Sequence, residues 1–291
     1  MKKIFKTTGV AIVLITFCTA GIGVYFYLTN DMIRASINNY ESKLYYFPTK
    51  ELADLVDFNV DEIELEVDDH VMVYNYHFRP NTDRIQAKIF LIHGAGGNAT
   101  TYKDLIRPLV ENEFDVYAVD WRGYGKSKGI PNYKNVLTDT ERGFLDYQQR
   151  TKNDTIKTIV YGMSLGGQVA IKITLDNREN VDALVLDGCV PSAQQMAIDY
   201  APVDFLRQRA KEHPERFNQE YVAIRDISKI ENTPKLIIHS IQDSEVQYKH
   251  GKNLFTNAKE PKTFWKTDTK HIMTLANYPN EAIEKIKELI R

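Results

Sequence analysis

From residue 62 onward, short apolar runs alternate along the chain with stretches of helical periodicity. Residues 63–67 alternate hydrophobic and polar side chains and predict a strand, and residues 71–77 predict a second strand paired with it as an antiparallel hairpin. Later runs rich in valine and isoleucine predict strands buried on both faces of a parallel sheet. These runs are residues 89–92, 116–119, 156–161, 183–186, 236–241 and 263–265.

Stripes of apolar residues at helical spacing lie between these runs and after the last one. They cover residues 102–110, 133–147, 165–173 and 283–290. The alternation of strand and helix predicts an α/β fold, a parallel sheet covered by helices. Residues 191–230 break the alternation, because they are polar, helical in pattern and interrupted by two prolines. We interpret this segment as a short cap inserted between two strands.

The apolar N-terminal segment predicts a membrane anchor. Three lysines within the first six residues precede an uncharged run of 22 residues, Thr7 to Leu28. As a helix this run spans roughly 33 Å, enough for a hydrocarbon core of about 30 Å. The basic end predicts a cytoplasmic N-terminus, with the rest of the chain outside the cytoplasm. The alternative is a signal peptide cleaved at the small residues around Ala20, which yields a secreted protein.

The sequence thus divides into an anchor over residues 1–29, a stalk or lead-in over 30–60, and a catalytic domain over 61–291. The overall composition, 43% hydrophobic and 26% charged, is that of a globular protein. Beyond the anchor, the chain contains 34 basic and 39 acidic residues. This net charge of −5 gives no electrostatic footprint for nucleic acid, and no nucleic-acid partner is predicted. The two cysteines form no disulfide framework.

The motif Gly162-Met163-Ser164-Leu165-Gly166 follows a predicted strand and precedes a predicted helix. A Gly-x-Ser-x-Gly in this position is a nucleophile elbow, in which a strained turn pushes the serine Oγ clear of the sheet. The glycines keep neighbouring side chains from colliding across the turn. The backbone N–H of Leu165, at the start of the new helix, then points towards an anion site.

A second glycine-rich turn, His93 to Gly97, ends another predicted strand. In an acyl-transfer site it supplies the second oxyanion donor, for which we choose the N–H of Ala95. The same stretch, with Asp120 at the end of the next strand, also fits a dinucleotide fingerprint. The hairpin before this strand and the elbow after it favour the oxyanion interpretation. We predict neither a cofactor nor a metal site.

A serine nucleophile needs a base and an orienting acid. Among seven histidines, His271 alone lies in a loop after the last predicted strand, from which it can reach the other strand ends. Asp243 follows the strand before it and is our choice of acid. Asp187, which also ends a strand, is the competing acid. The chain order of Ser164, Asp243 and His271 is the nucleophile–acid–base order typical of strand–turn–helix serine hydrolases.

Over residues 60–291 the chain resembles the α/β-hydrolase superfamily, and within it the BEM46-like and serine-aminopeptidase-like bacterial hydrolases. The resemblance rests on the motifs above, on Asp120 to Ser127, and on the segment from His239 to Val246. It implies an eight-stranded, mostly parallel sheet whose second strand is antiparallel, and the catalytic roles named above. It also implies that Asp120 to Ser127 is a structural turn. Ser240 and Gln247 depart from the residues common in such proteins.

The sequence therefore predicts a serine hydrolase that cleaves an ester, thioester or amide through an acyl-enzyme, with carboxylic esters favoured. An acyltransferase with the same triad and a non-catalytic, membrane-tethered binding protein of the same fold are the alternatives. The expected partners are a small acyl substrate and, through the N-terminal helix, a membrane.

Overall fold

Eight strands form one sheet in this computed structural model, whose described residues are 24–291 apart from 26, 39, 153, 154 and 202. The strands are β1 (Asn59–Glu66), β2 (Met72–Arg79), β3 (Ala87–Ile92), β4 (Phe114–Val119), β5 (Thr158–Met163), β6 (Ala183–Asp187), β7 (Lys235–Ser240) and β8 (Lys262–Thr267). Their spatial order is β1-β2-β4-β3-β5-β6-β7-β8. Only β2 runs antiparallel to its neighbours, and every other adjacent pair is parallel.

Burial along each strand explains its sequence pattern. Every residue of β3, β5, β6 and β7 is buried, because helices cover both faces of the centre of the sheet. The edge strand β1 instead buries Ile63 and Leu65 and exposes the glutamates between them. The hairpin predicted from this alternation and the parallel sheet predicted from the apolar runs are both present.

Helices lie on both faces of the sheet. The α-helices are α1 (Asp31–Asn38), α2 (Glu41–Leu44), α3 (Lys103–Glu111), α4 (Tyr133–Arg150), α5 (Gly166–Asp176), α6 (Ala193–Asp199), α7 (Asp204–Glu212), α8 (Ala223–Asp226), α9 (Tyr248–Asn257), α10 (Thr274–Asn277) and α11 (Pro279–Glu288). Helix α3 packs with α10 and α11, and α5 packs with α4 and α8. Helices α6 to α8 occupy the insertion between β6 and β7, where the sequence predicts a cap over residues 191–230.

The chain divides between Tyr45 and Tyr46 into two units. The second unit therefore starts before residue 61, where the sequence analysis places the start of the domain. Phe47 N–H donates to the carbonyl of Ala95 at 2.8 Å, and Thr49 N–H donates to that of Gly97 at 3.0 Å. These backbone bonds attach part of the predicted lead-in to the glycine-rich turn. Backbone pairing of this kind leaves no periodic pattern in side-chain polarity, so it cannot be predicted from the sequence pattern.

The predicted anchor, residues 1–29, lies mostly outside the described residues. Among the residues that are described, no helix is both long and apolar enough to cross a membrane. The described part of the first unit contains α1 and α2.

The turn after β4, residues 120–127, is tied to the body of the fold by buried polar contacts. The guanidinium of Arg122 pairs with the fully buried carboxylate of Asp139 in α4. Ser127, also fully buried, accepts a hydrogen bond from the backbone N–H of Tyr74 at 2.9 Å. A buried ion pair of this kind is strongly destabilising to break, so these contacts fit the structural role that the resemblance implies for the turn.

Candidate active site

Ser164 occupies a sharp turn between β5 and α5. Its φ of 52° lies in the left-handed region, which a non-glycine residue adopts only when its surroundings enforce it. Its N–H donates to the carbonyl of Asp187 at 2.8 Å, and its own carbonyl accepts from the N–H groups of Gly167 and Val190 at 3.1 Å. Three backbone hydrogen bonds therefore hold the serine in the strained conformation of a nucleophile elbow.

The glycines of the motif are required by close packing of backbone on backbone. A Cβ on Gly166 would overlap the carbonyl oxygens of His93 and Ile92, which end β3. A Cβ on Gly162 would lie 2.5 Å from the Cβ of Ala170 and 2.7 Å from the Cα of Gly167. Helix α5 can approach the sheet this closely only because these positions lack side chains.

His271 and Asp243 form a buried pair at the carboxyl edge of the sheet. Nδ1 of His271 donates to Oδ2 of Asp243 at 2.6 Å. The other oxygen of Asp243 accepts from the backbone N–H groups of Glu245 at 2.9 Å and Val246 at 2.8 Å. His239, fully buried, donates from Nε2 to the carbonyl of Val246 at 2.8 Å and so braces the acid loop.

The electrostatics of this pair favour an ionised acid and a basic imidazole. Burial raises the pKa of Asp243, but its bonds to His271 and to the two backbone amides outweigh burial, and the net pKa lies below the ordinary value. Burial likewise lowers the pKa of His271, yet the hydrogen bond and the charge of Asp243 raise it above its ordinary value.

Nε2 of His271 is buried and has no hydrogen-bond partner among the described residues. A Cβ placed on Gly188 would lie 2.8 Å from Cε1 of His271, and Gly188 directly follows the residue whose carbonyl receives the N–H of Ser164. The imidazole thus lies beside the elbow. No Ser164–His271 hydrogen bond is present in the described part of the chain. Such bonds are often long in unliganded enzymes.

Two tyrosine hydroxyls hold the glycine-rich turn after β3. The Tyr102 hydroxyl accepts from the N–H of Gly94 and donates to the carbonyl of Gly96, both at 3.1 Å. The Tyr124 hydroxyl donates to the carbonyl of Ala95 at 2.6 Å. Within the described chain, the amides of Ala95 and Leu165 donate no hydrogen bond, as two oxyanion donors require.

Gly94, in this turn, lies between Ser164 of the elbow and the hydroxyl of Tyr102. A Cβ at Gly94 would lie 3.1 Å from the Cβ of Ser164 and 3.0 Å from the Tyr102 hydroxyl. Sequence reasoning does not identify Tyr102 or Tyr124 as part of the site. Tyr102 carries only the signal of an apolar helix stripe, and no pattern shows that its hydroxyl reaches back to the turn.

Asp120 and Asp187 are the two carboxyls that the sequence leaves with alternative roles. Asp120 is fully buried, lies 3.2 Å from Nε2 of His93 and accepts from the N–H of Ala99, so it does not face a nucleotide ribose. Asp187 is buried beside the Tyr161 hydroxyl, which donates to it at 3.4 Å. Burial, reinforced by the charge of Asp243, raises the pKa of Asp187 to about 7. The acid that bonds His271 is Asp243.

No cluster of three metal-ligating side chains is found among the described residues. The groups gathered at this edge of the sheet are a serine hydroxyl, an imidazole with a free nitrogen, an ionised carboxylate and two free amides. They are the parts needed for nucleophilic attack on an acyl carbonyl without a metal.

Comparison with known proteins supports the α/β-hydrolase fold. The family model described as serine aminopeptidase, S33, matches residues 83–214. Protein YfhR of Escherichia coli K12 is 26% identical over 222 residues, 75% of each chain. Protein bem46 of Schizosaccharomyces pombe is 27% identical over 144 residues, 48% of each chain. The structure of the Pyrococcus furiosus esterase Pf2001 matches with a TM-score of 0.65 at 19% identity, covering 84% of this chain and 98% of that one.

The close packing of Gly166 against the backbone carbonyls of Ile92 and His93 predicts that a side chain at residue 166 destabilises the fold. Gly166→Ala places a methyl group against two backbone carbonyls that cannot move aside, so we expect a large loss of soluble yield and of Tm. Gly96→Ala is the matched control, because a Cβ there meets no atom within 4 Å, and it should stay within about 0.5 kcal/mol of wild type. Thermal unfolding of both variants, followed by circular dichroism, measures the difference. Equal Tm values would contradict the packing argument.

Proposed function

We propose that this chain, a member of the α/β-hydrolase superfamily, is a serine hydrolase that cleaves a carboxylic ester or thioester through a covalent acyl-enzyme. The observation that carries the proposal is that residues following three different strands lie together at one edge of the sheet. Ser164 stands on a strained elbow after β5, and Asp243 after β7 holds His271 after β8 with its Nε2 unbonded. A base oriented by a carboxylate, with its second nitrogen free beside the serine, is the arrangement by which serine hydrolases activate the hydroxyl.

In the proposed reaction, Ser164 Oγ attacks the acyl carbon while Nε2 of His271 takes the hydroxyl proton. The negative charge that develops on the carbonyl oxygen is held by the N–H groups of Ala95 and Leu165. The bond to the leaving group then breaks, and the leaving group takes the proton from Nε2. Water repeats the sequence on the acyl-enzyme, releasing the acid and restoring the serine. Asp243 keeps Nδ1 protonated and stabilises the imidazolium throughout.

An acyltransferase with the same triad would differ only in the acceptor that reaches the acyl-enzyme. We propose water as that acceptor. The support is the similarity in fold to an esterase, the Pyrococcus furiosus protein Pf2001.

The nucleophile is tested by replacing Ser164 with alanine. We expect the variant to lose labelling by a fluorophosphonate probe and hydrolysis of p-nitrophenyl esters, because no other hydroxyl occupies the elbow. Ser192→Ala is the control, since Ser192 caps α6 and should leave labelling intact. Labelling is read by intact-mass spectrometry. Persistent modification of the Ser164→Ala protein would exclude Ser164 as the nucleophile.

The acid is tested by comparing Asp243→Asn with Asp187→Asn. His271 acts as a base only when neutral, so kcat/KM should fall as the pH falls through its pKa, which lies above the ordinary value near 6.5. Asp243→Asn removes the charge that raises this pKa. The acid limb should therefore move to lower pH while kcat falls by about 10⁴. Asp187→Asn should lose much less activity. A larger loss in Asp187→Asn would reverse the assignment.

We also propose that residues 1–29 anchor the enzyme in a membrane with the catalytic domain outside the cytoplasm. The support is the uncharged run after three lysines. Full-length protein expressed in bacteria should stay in the membrane fraction after alkaline carbonate extraction and keep its complete mass. Protease added to spheroplasts should degrade the catalytic domain. A soluble product beginning near residue 21 would instead establish a cleaved signal peptide.

A further inference from the structure

Glu245 places a negative charge at the mouth of the candidate active site. Its Oε2 lies 4.0 Å from Nε2 of His271, the nitrogen that has no hydrogen-bond partner in the described chain. The carboxylate is 72% exposed, whereas the imidazole side chain is only 7% exposed. No lysine or arginine pairs with this carboxylate among the described residues.

The backbone of Glu245 is fixed although its side chain is exposed. Its N–H donates to Oδ1 of Asp243 at 2.9 Å. Its carbonyl accepts from the hydroxyl of Tyr200, at the end of cap helix α6, at 2.5 Å. The acid loop and the cap therefore hold the backbone of this residue in place beside His271.

The charge of Glu245 also acts on two groups of the candidate site. It contributes to the raised pKa of His271. Burial is the largest cause that raises the pKa of Tyr102, whose hydroxyl bonds the glycine-rich turn, and the charge of Glu245 raises it further. The 4.0 Å separation from Nε2 places this charge near the atom from which the leaving group takes its proton.

Three carboxyls raise the pKa of His271, and His239 also interacts with it electrostatically. Of the three carboxyls, Asp243 is bonded to Nδ1 and Asp187 is buried, whereas Glu245 is exposed. A positive group within about 4–6 Å of an exposed carboxylate is attracted, with an effect that solvent and salt reduce.

We propose that Glu245 selects esters or thioesters whose leaving group carries a cation, such as those of amino alcohols or quaternary ammonium alcohols. The inference rests on the proposed serine hydrolase function and specifies the substrate class of the same site. It assigns Glu245 a role in substrate specificity, while the bond-breaking steps stay with the triad.

The test uses two thioesters of equal shape that differ in one charge. Butyrylthiocholine has a quaternary nitrogen, and S-(3,3-dimethylbutyl) thiobutyrate has a carbon in its place. Both release a thiol that a chromogenic disulfide reagent measures. The quaternary nitrogen also makes its thiol the better leaving group, so each kcat/KM value is divided by the rate constant for hydrolysis of the same thioester by hydroxide. The ratio of the two corrected values is free of that difference. It is also free of any effect of Glu245 on the pKa of His271, because that effect is common to both substrates.

Wild-type enzyme should prefer the cationic thioester by about three- to tenfold at low salt, and the preference should shrink as salt is added. Glu245→Gln should bring the ratio close to one, and Glu245→Lys should invert it. Glu288→Gln, at the exposed end of α11, makes the same change in net charge away from the site and should keep the wild-type ratio.

The outcomes separate this inference from the proposed function. Hydrolysis of both thioesters with a ratio near one in wild type, or an unchanged ratio in Glu245→Gln, overturns the role of Glu245 and leaves the serine hydrolase standing. A wild-type protein that neither reacts with the fluorophosphonate nor hydrolyses any ester overturns both. A thioester that carries the quaternary nitrogen at the far end of its acyl chain should gain no preference over its neutral carbon isostere. A gain there would contradict placement at the leaving group.

Discussion

The candidate site depends on the close contact between the elbow and the end of β3. Gly166 packs its Cα against the carbonyls of Ile92 and His93, and this approach brings the start of α5 beside the turn that carries Ala95. The strand order reverses here, since β4 lies on one side of β3 and β5 on the other. A crevice at such a switch point is where parallel sheets expose their strand ends. If that contact opened, Ser164 and Leu165 would separate from Ala95, the other candidate oxyanion donor.

Around this contact, two tyrosine hydroxyls bond the backbone of the glycine-rich turn and leave one of its amides without a partner. The hydroxyl of Tyr102 is hydrogen-bonded to the N–H of Gly94 and the carbonyl of Gly96, and the hydroxyl of Tyr124 donates to the carbonyl of Ala95. The N–H of Ala95 is left free between them. Amides without partners are uncommon inside proteins, and two of them beside a strained serine support the proposal of an oxyanion site.

One imidazole is surrounded by three carboxyls in different environments, and the environments separate their roles. Asp243 is buried but bonded by two amides and His271, so it stays ionised. Asp187 is buried beside a tyrosine hydroxyl and titrates near neutral pH. Glu245 is 72% exposed and lies 4.0 Å from Nε2 of the imidazole. Carboxyl groups of identical chemistry thus orient the base, lie behind it, or face the substrate, according to burial and hydrogen bonding.

The amino-acid sequence by itself determined the layer architecture, the order of elements and the identity of the elbow. These follow from local physics, namely periodicity, strand length and the glycines that a tight turn requires. It also ranked Asp243 above Asp187, but two acids at neighbouring strand ends look alike until the loops are placed. Only the tertiary structure brought Asp243 to Nδ1 of His271 and attached residues 46–49 to the glycine-rich turn. The same holds for Tyr102, Tyr124 and Glu245, because contacts between distant segments depend on how the loops at the sheet edge pack and leave no periodic signal in the chain.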